Sequence, residues 1–309
     1  MYDLIIIGSG AAGLSAALYA GRYQMKTLII EGEFGGETMT AGEIANYPGF
    51  RPADGYELIS IMKEQAKAAG VEVRSGWAKR IARRAEGFVV YVQDGEEQTQ
   101  FVSKAVILAI GAKRRHLGLP NEQKFVGKGL HYCWTCDGPL YGGKTVAMVG
   151  GGDSSVKGVN FLGKYAKKIY LITKESAIKA EPVNQESMDK LGDVVEILAG
   201  TEVKELGGER QLDFLVLSKE YQGSSSLKVD GLFVEIGFDP DKTFAEQMGL
   251  ETDEKGYLKV DNMMRTKTPG LYVAGDATRH FGDFKQDITV AAMGAVAATA
   301  AYEYLQSHR

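Results

Sequence analysis

Tyr2-Asp3-Leu4-Ile5-Ile6-Ile7-Gly8-Ser9-Gly10-Ala11-Ala12-Gly13 opens the chain. The run from Tyr2 to Ile7 is short, apolar and rich in β-branched residues, which predicts a buried parallel strand. Glycines follow at once. Gly8 permits a tight turn, Gly10 lets the backbone approach a pyrophosphate, and Gly13 lets a helix pack on the strand. Ala11 and Ala12 start a helix whose body is predicted over 14–23, and a second strand follows over 27–30. Glu31 then stands where a carboxylate accepts ribose hydroxyls. The start of the helix supplies N–H groups and a positive dipole end for phosphates. The order strand, glycine turn, helix, strand, acid predicts dinucleotide binding.

A second unit of this kind begins in mid-chain. A strand is predicted over 145–149, the turn is Gly150-Gly151-Gly152-Asp153-Ser154-Ser155, a helix runs to about 166, and a strand covers 168–172. Ser155 occupies the third glycine position and is small enough for close packing. Two readings stand for this unit: a second nucleotide site, or a fold that kept its shape and lost its ligand.

The intervening stretches are read by pattern. Gly35-Gly36-Glu37-Thr38 and Asn46-Tyr47-Pro48-Gly49 form a turn-rich segment, either a loop along a cofactor or a surface excursion. A helix is predicted over 56–69. Strands over 71–73, 88–92 and 98–102 read as a small antiparallel insert, and 106–112 as a further buried strand in which Gly111 allows close backbone approach. Strands over 194–198, 212–217 and 227–229 read as a second insert, with a buried strand over 231–237 and a β-like stretch at 257–260. The last strand, 270–276, ends in Gly275-Asp276. Asp276 accepts from a ligand hydroxyl or caps the next helix. The final helix is predicted over 288–306, beginning near Gln286, with its positive end toward a cofactor.

Between the two units lies Cys133-Trp134-Thr135-Cys136, which holds both of the chain's 2 cysteines. Thiols at this spacing can close a small ring, pass two electrons and reopen. The competing reading, half a zinc site, needs a second ligand pair. The 4 histidines show no metal spacing, so no metal is expected. Trp134 either shapes partner docking or packs.

Composition bounds the rest. The 309 residues suffice for two domains. With 44% hydrophobic and 25% charged residues the chain has an ordinary globular balance. A net charge of −4 argues against nucleic acid or an anionic membrane as partner. No apolar run is read as a membrane span, and no signal-like segment opens the chain, so a cytoplasmic address is expected.

Taken together these motifs resemble the low-molecular-weight thioredoxin reductases, FAD-dependent pyridine nucleotide-disulfide oxidoreductases, nearly end to end. The Cys-x-x-Cys-Asp-Gly of Cys133–Gly138 just before the second unit is the most telling. The resemblance implies an α/β fold of two Rossmann-like, three-layer ββα nucleotide-binding domains. The FAD domain would be discontinuous, 1–112 with 242–309, and a nicotinamide-type domain over 113–241 would carry the disulfide. It implies FAD contacts at Gly8, Gly10, Ala11, Ala12, Gly13, Glu31, Gly35, Gly36, Glu37, Asn46 and Gly111, and at Gly275, Asp276, Lys285, Gln286, Asp287 and Ile288. Cys136 would face the flavin, Cys133 would attack the partner's disulfide, and Asp137 would act as acid and base, although an Asp before Gly138 also suits a plain turn. The implied partner is thioredoxin or a glutaredoxin-like protein, and the implied assembly a homodimer. Linkers near 112–116 and 238–243 would let the second domain turn.

One motif departs from the family. NADPH users carry His-Arg-Arg-x-x-x-Arg after the second strand of the second domain, where guanidinium forks bind the 2′-phosphate. Here the run is Thr173-Lys174-Glu175-Ser176-Ala177-Ile178-Lys179. It has no arginine, and Glu175 adds a negative charge. The nucleotide turn would comprise Gly150, Gly152, Asp153, Ser154 and Ser155 with Thr173, Lys174 and Glu175. Poor use of NADPH is expected, with NADH, ferredoxin or a deazaflavin as donor. A reductase serving another small redoxin or a peroxiredoxin, and a non-catalytic FAD redox sensor, are the alternatives. A ferredoxin–NADP reductase of similar fold lacks the cysteine pair.

Overall fold

The computed structural model describes residues 1–282 and 284–308. Arg309, the last position of the carboxyl-terminal segment read from sequence, lies outside the described residues. The chain divides into two compact units, Met1–Lys113 together with Pro240 onward, and Arg114–Asp239.

The first unit starts with β1 (Tyr2–Ser9), α1 (Ala11–Arg22) and β2 (Thr27–Phe34). β1 and β2 pair in parallel. Gly8 has φ +107°, and a Cβ there would sit 2.2 Å from the Ala109 carbonyl oxygen. A Cβ at Gly13 would sit 2.0 Å from the Gly8 carbonyl oxygen, so glycine is what allows α1 to lie this close to the turn. Next come α2 (Gly36–Met39), the short pair β3 (Glu43–Ile44) and β4 (Ala53–Asp54), and α3 (Gly55–Ala68), whose start is capped by the Asp54 carboxylate accepting from the Glu57 N–H. The turn-rich segment thus holds a helical turn and a small hairpin.

β5 (Glu72–Ser75) pairs in parallel with β2, so it is an edge strand of the main sheet and not part of an antiparallel insert. β6 (Trp77–Arg84), unread in the sequence, β7 (Gly87–Asp94) and β8 (Glu97–Leu108) form an antiparallel meander. The strand expected over 98–102 and the first part of that expected over 106–112 are one strand, β8, which ends at Leu108 and does not continue to 112. Its first half pairs antiparallel with β7, and from Ser103 onward it also pairs parallel with β1. The change from mixed burial to continuous burial marks that handover and gave the false break.

β9 (Ala112–Arg114) leads into the second unit. That unit comprises α4 (Glu122–Phe125), β10 (Leu130–His131), α5 (Trp134–Asp137), β11 (Thr145–Val149), α6 (Asp153–Leu162), β12 (Lys168–Thr173), α7 (Pro182–Asp189) and β13 (Val195–Ala199). β14 (Val203–Gly207), β15 (Phe214–Tyr221), β16 (Ser224–Lys228) and β17 (Gly231–Val234) complete it. The parallel sheet runs β10-β17-β11-β12-β13, and β14-β15-β16 is a separate antiparallel sheet. β13 therefore belongs to the nucleotide-type sheet and not to the insert, because it pairs in parallel with β12.

β18 (Phe238–Pro240) returns beside β9. α8 (Thr243–Met248), β19 (Leu271–Val273) and α9 (Asp287–Ser307) close the first unit, with β19 in parallel beside β8. Stretch 257–260 forms no strand, only an isolated bridge at Leu258. By length and composition α9 is apolar enough to cross a membrane, contrary to the sequence reading. One face, including Ala297, Ala298 and Ala301, is buried in the same core as α1, and a Cβ at Gly294 would lie 2.0 Å from the Ala12 carbonyl oxygen. A core helix of this kind passes the same test of length and hydropathy.

Candidate functional site

Cys133 and Cys136 are joined in a disulfide across the start of α5. Cys133 is the N-cap of that turn, and its Sγ accepts from the Cys136 N–H at 3.2 Å. Thr135 Oγ1 lies 3.2 Å from the same sulfur. Once reduced, Cys133 would carry its thiolate where a backbone N–H and a hydroxyl can donate to it. Trp134 is buried and packs on Phe161, with ring centres 5.4 Å apart, so it serves as core.

Asp137 follows directly. Its Oδ2 lies 3.0 Å from His131 Nδ1, a partner that the sequence reading missed. The missed signal was local: His131 stands two residues before the first cysteine. The neighbouring Tyr132 donates its hydroxyl to Glu122, which also accepts from the N–H groups of Leu117, Gly118 and Leu119. Burial pushes the Glu122 carboxyl up, but these donors outweigh it and hold it below the usual carboxylate range.

In the first unit, no side chain caps α1 at Gly10, so its first N–H groups remain available to phosphate oxygens. Ala11 and Ala12 line that start. Gly35 and Gly36, at φ +74° and +54°, fold back against it: a Cβ at Gly10 would lie 3.6 Å from the Gly35 carbonyl oxygen. Both oxygens of Glu31 receive Lys63 Nζ, at 2.7 and 2.8 Å. Lys63, on α3, was another residue the sequence did not reveal. A carboxylate has about four acceptor positions, so Glu31 can still take hydroxyls.

The two chain ends of this unit meet at one place. Thr38 donates to Asp287 at 2.6 Å, and Asn46 donates to Gln286 at 2.9 Å. Gln286 and Thr289 form a capping box that starts α9. Ile288, in its first turn, is partly exposed. Gly275 has φ +81°, with a Cβ there only 3.0 Å from Ala12 Cβ. No described group donates a hydrogen bond to the Asp276 carboxylate; Lys285 instead reaches its backbone oxygen at 3.2 Å. Burial raises the Asp276 carboxyl, Lys285 lowers it, and Asp287 and Glu37 raise it further. Gly111, at φ +63°, has open space on its Cβ side.

The second glycine turn is built differently. Gly150, at φ +144°, would place a Cβ 2.1 Å from the Glu235 carbonyl oxygen. Ser155 is fully buried and donates to the Gly152 carbonyl at 2.7 Å. Asp153 accepts from the Glu181 N–H and from Asn184, both at 2.9 Å, which ties the turn to α7. Ser154 shares the first turn of α6. Thr173 Oγ1 accepts from the Glu175 N–H, and Lys174, Glu175 and Lys179 are exposed beyond it.

A glycine turn at each sheet and a bonded Cys-x-x-Cys ahead of the second are the features to compare with known proteins. The model of the pyridine nucleotide-disulphide oxidoreductases matches residues 2–300. The chain belongs to that family. It is 37% identical to a thioredoxin reductase of Mycolicibacterium smegmatis, over 99% of this chain and 97% of the relative. A crystal structure of Lactococcus lactis thioredoxin reductase superposes with a TM-score of 0.92 at 31% identity, covering 99% and 100% of the two chains. A ferredoxin-flavin thioredoxin reductase from Clostridium acetobutylicum superposes at 0.52 with 29% identity, covering 99% and 98%. Within the family the chain is of the low-molecular-weight thioredoxin reductase type, an oxidoreductase with FAD as the family's cofactor.

Proposed function

We propose that this protein is a flavoprotein disulfide reductase. In this reading it passes two electrons through FAD and the Cys133–Cys136 disulfide to thioredoxin or a thioredoxin-like protein, from a donor other than NADPH. The FAD domain would comprise 1–112 and 242–309, the disulfide domain 113–241, and the working form would be a cytoplasmic homodimer. The carrying observation is a disulfide whose first sulfur caps a helical turn, placed next to a carboxylate.

The first unit fits FAD. The uncapped start of α1 with Gly10 and Gly36 suits a pyrophosphate, Glu31 a ribose, and the donor-free Asp276 carboxylate a ribityl hydroxyl. When bound, FAD supplies the two-electron relay between donor and disulfide. Cys133, as thiolate, attacks the partner's disulfide, Cys136 resolves the mixed disulfide, and Asp137 holds the proton that the leaving thiolate needs.

The donor reading rests on Thr173–Lys179. At about 4 Å a carboxylate repels a phosphate charge by roughly 4 kcal/mol at an effective dielectric near 20, less where solvent screens it. Glu175 stands exposed in the segment where the family's NADPH users place arginine, and the flanking lysines offer only flexible point charges. The likeness to the ferredoxin-flavin enzyme is compatible with a non-nicotinamide donor. Stopped-flow bleaching of the flavin with NADPH, NADH, a reduced ferredoxin and a reduced deazaflavin tests it. Rapid bleaching by micromolar NADPH would sink the donor reading. A purified protein that takes up no flavin would sink the whole.

A further inference from the structure

His131 is buried at the end of β10, against the ring of Phe233 on β17, with ring centres 5.3 Å apart. Its Nδ1 lies 3.0 Å from Asp137 Oδ2 and its Nε2 lies 2.7 Å from the Tyr141 hydroxyl. A buried imidazole with both nitrogens engaged has a defined orientation, and the partner of one nitrogen sets the tautomer at the other. Burial, with Asp137 and Asp230 nearby, pushes the Tyr141 hydroxyl up to about 12, so it keeps its proton. A carboxylate oxygen facing Nδ1 favours the neutral tautomer with its proton there, aimed at Asp137, and in that tautomer the Tyr141 hydroxyl donates to Nε2.

We propose that His131 is the positioning residue for Asp137 in dithiol–disulfide exchange, with Tyr141 fixing the imidazole tautomer. The inference rests on the reading of Cys133–Cys136 as the electron-passing pair. It begins with Cys133 as thiolate, Cys136 as thiol and Asp137 protonated on the oxygen away from His131. Cys133 forms a bond to one partner sulfur, the partner's disulfide breaks, and the leaving thiolate takes the Asp137 proton. The carboxylate left behind is held by Nδ1–H. It then accepts the Cys136 proton; Cys136 bonds to Cys133, the mixed disulfide breaks, and the second partner sulfur leaves with that proton. The enzyme dithiol is oxidised and the partner disulfide reduced, by two electrons and two protons.

The groups that face this imidazole are Asp137 from α5, Tyr141 from the 3-10 turn that follows, and the uncharged Phe233 ring from β17. Asp230 acts on Tyr141 from the loop before β17, and Lys144 sits over the Tyr141 ring at 5.2 Å. Tyr132 and Glu122 form a separate pair beside it.

The test uses flavin-loaded protein reduced with dithiothreitol and freed of it, so no natural donor is needed. Rapid-quench mixing with oxidised thioredoxin, and separately with hydroxyethyl disulfide, gives the rate of thiol loss from pH 5 to 9. Asp137→Asn is expected to cost about 100-fold. His131→Gln keeps a donor but loses the imidazole held between Asp137 and Tyr141; it is expected to cost about tenfold with either disulfide. The double variant should be no slower than Asp137→Asn alone, because His131 acts through that carboxylate. A His131→Gln profile that superposes on wild type, or full additivity in the double variant, overturns the proposal. Should His131→Gln fail to fold, Tyr141→Phe decides: a slowing that disappears in the Asp137→Asn background supports the proposal, and an unchanged rate or a slowing that persists in full there overturns it. Wild-type dithiol inert to thioredoxin but active on hydroxyethyl disulfide removes the thioredoxin reading, and the His131 test is then read on the small disulfide.

Discussion

The two glycine turns share a backbone plan and differ in what they leave unmade. Neither α1 at Gly10 nor α6 at Gly152 has a side-chain cap, but in the first unit the Asp276 carboxylate receives no hydrogen bond from any described group. At the second, Ser155 bonds the turn's own carbonyl and Asp153 is tied to α7. The carboxylates repeat the contrast. Glu122, in the second unit, is buried yet held low by donors from its own chain, whereas Asp276, in the first, is raised by burial. Unsatisfied buried polar groups cost stability unless a ligand completes them. On that ground the Asp276 carboxylate of the first unit is where a ligand's donor would relieve a cost, while the side chains of the second turn, Asp153 and Ser155, are already paired.

The sharpest way to break this contrast is substitution at the third position of each turn. Gly13→Val puts a side chain where a Cβ already meets the Gly8 carbonyl at 2.0 Å, and is expected to abolish flavin retention, read as loss of the yellow absorbance. Ser155→Ala removes one hydrogen bond, expected to cost about 1 kcal/mol in denaturant unfolding, with flavin content unchanged. Equal effects at the two turns would end the comparison.

The carboxylates should answer with opposite signs. Glu122→Gln loses charge-assisted bonds and is expected to destabilise by roughly 2 kcal/mol. Because the Glu122 carboxyl is depressed in the folded state, its contribution is present above the unfolded value near 4.3 and is lost as pH falls through the folded value. The Asp276 carboxyl is raised, so its own contribution to the stability of flavin-free protein falls as pH rises from about 4 through the raised value. Asp276→Asn should remove that loss and weaken flavin binding, each measurable by thermal unfolding with and without FAD. A stability difference between flavin-free wild type and Asp276→Asn that stays constant over that range would contradict the account.

The smallest effect concerns the donor side. Glu175→Arg exchanges a repelling charge for a guanidinium fork, and is expected to improve the rate of flavin reduction by NADPH about tenfold, roughly 1.4 kcal/mol. No gain would mean that the second turn rejects the dinucleotide elsewhere, for example at Asp153.

Much of this was legible from local spacing. The turns at Gly8–Gly13 and Gly150–Ser155 and the pair Cys133–Cys136 are contiguous motifs, so their chemistry survives without coordinates. Strand membership was less legible where burial changed along one strand. β8 read as two strands because its first half is exposed or half-buried and its second is buried almost throughout. β5 and β13 read as insert strands because a short edge strand carries no mark of its partner.

By itself the sequence determined the class of chemistry: two nucleotide-type turns, one dithiol, and a donor segment without arginine. Those are properties of neighbours along the chain, set by backbone freedom and side-chain type. Tertiary structure alone decided which groups complete one another: Lys63 on Glu31, Asn46 on Gln286, Thr38 on Asp287 and His131 on Asp137. Three of those four pairs join residues more than 30 positions apart, and the fourth crosses from β10 to α5. Hydrogen bonds and ion pairs act over about 3 Å of space whatever the separation in sequence, so only the folded chain can reveal them.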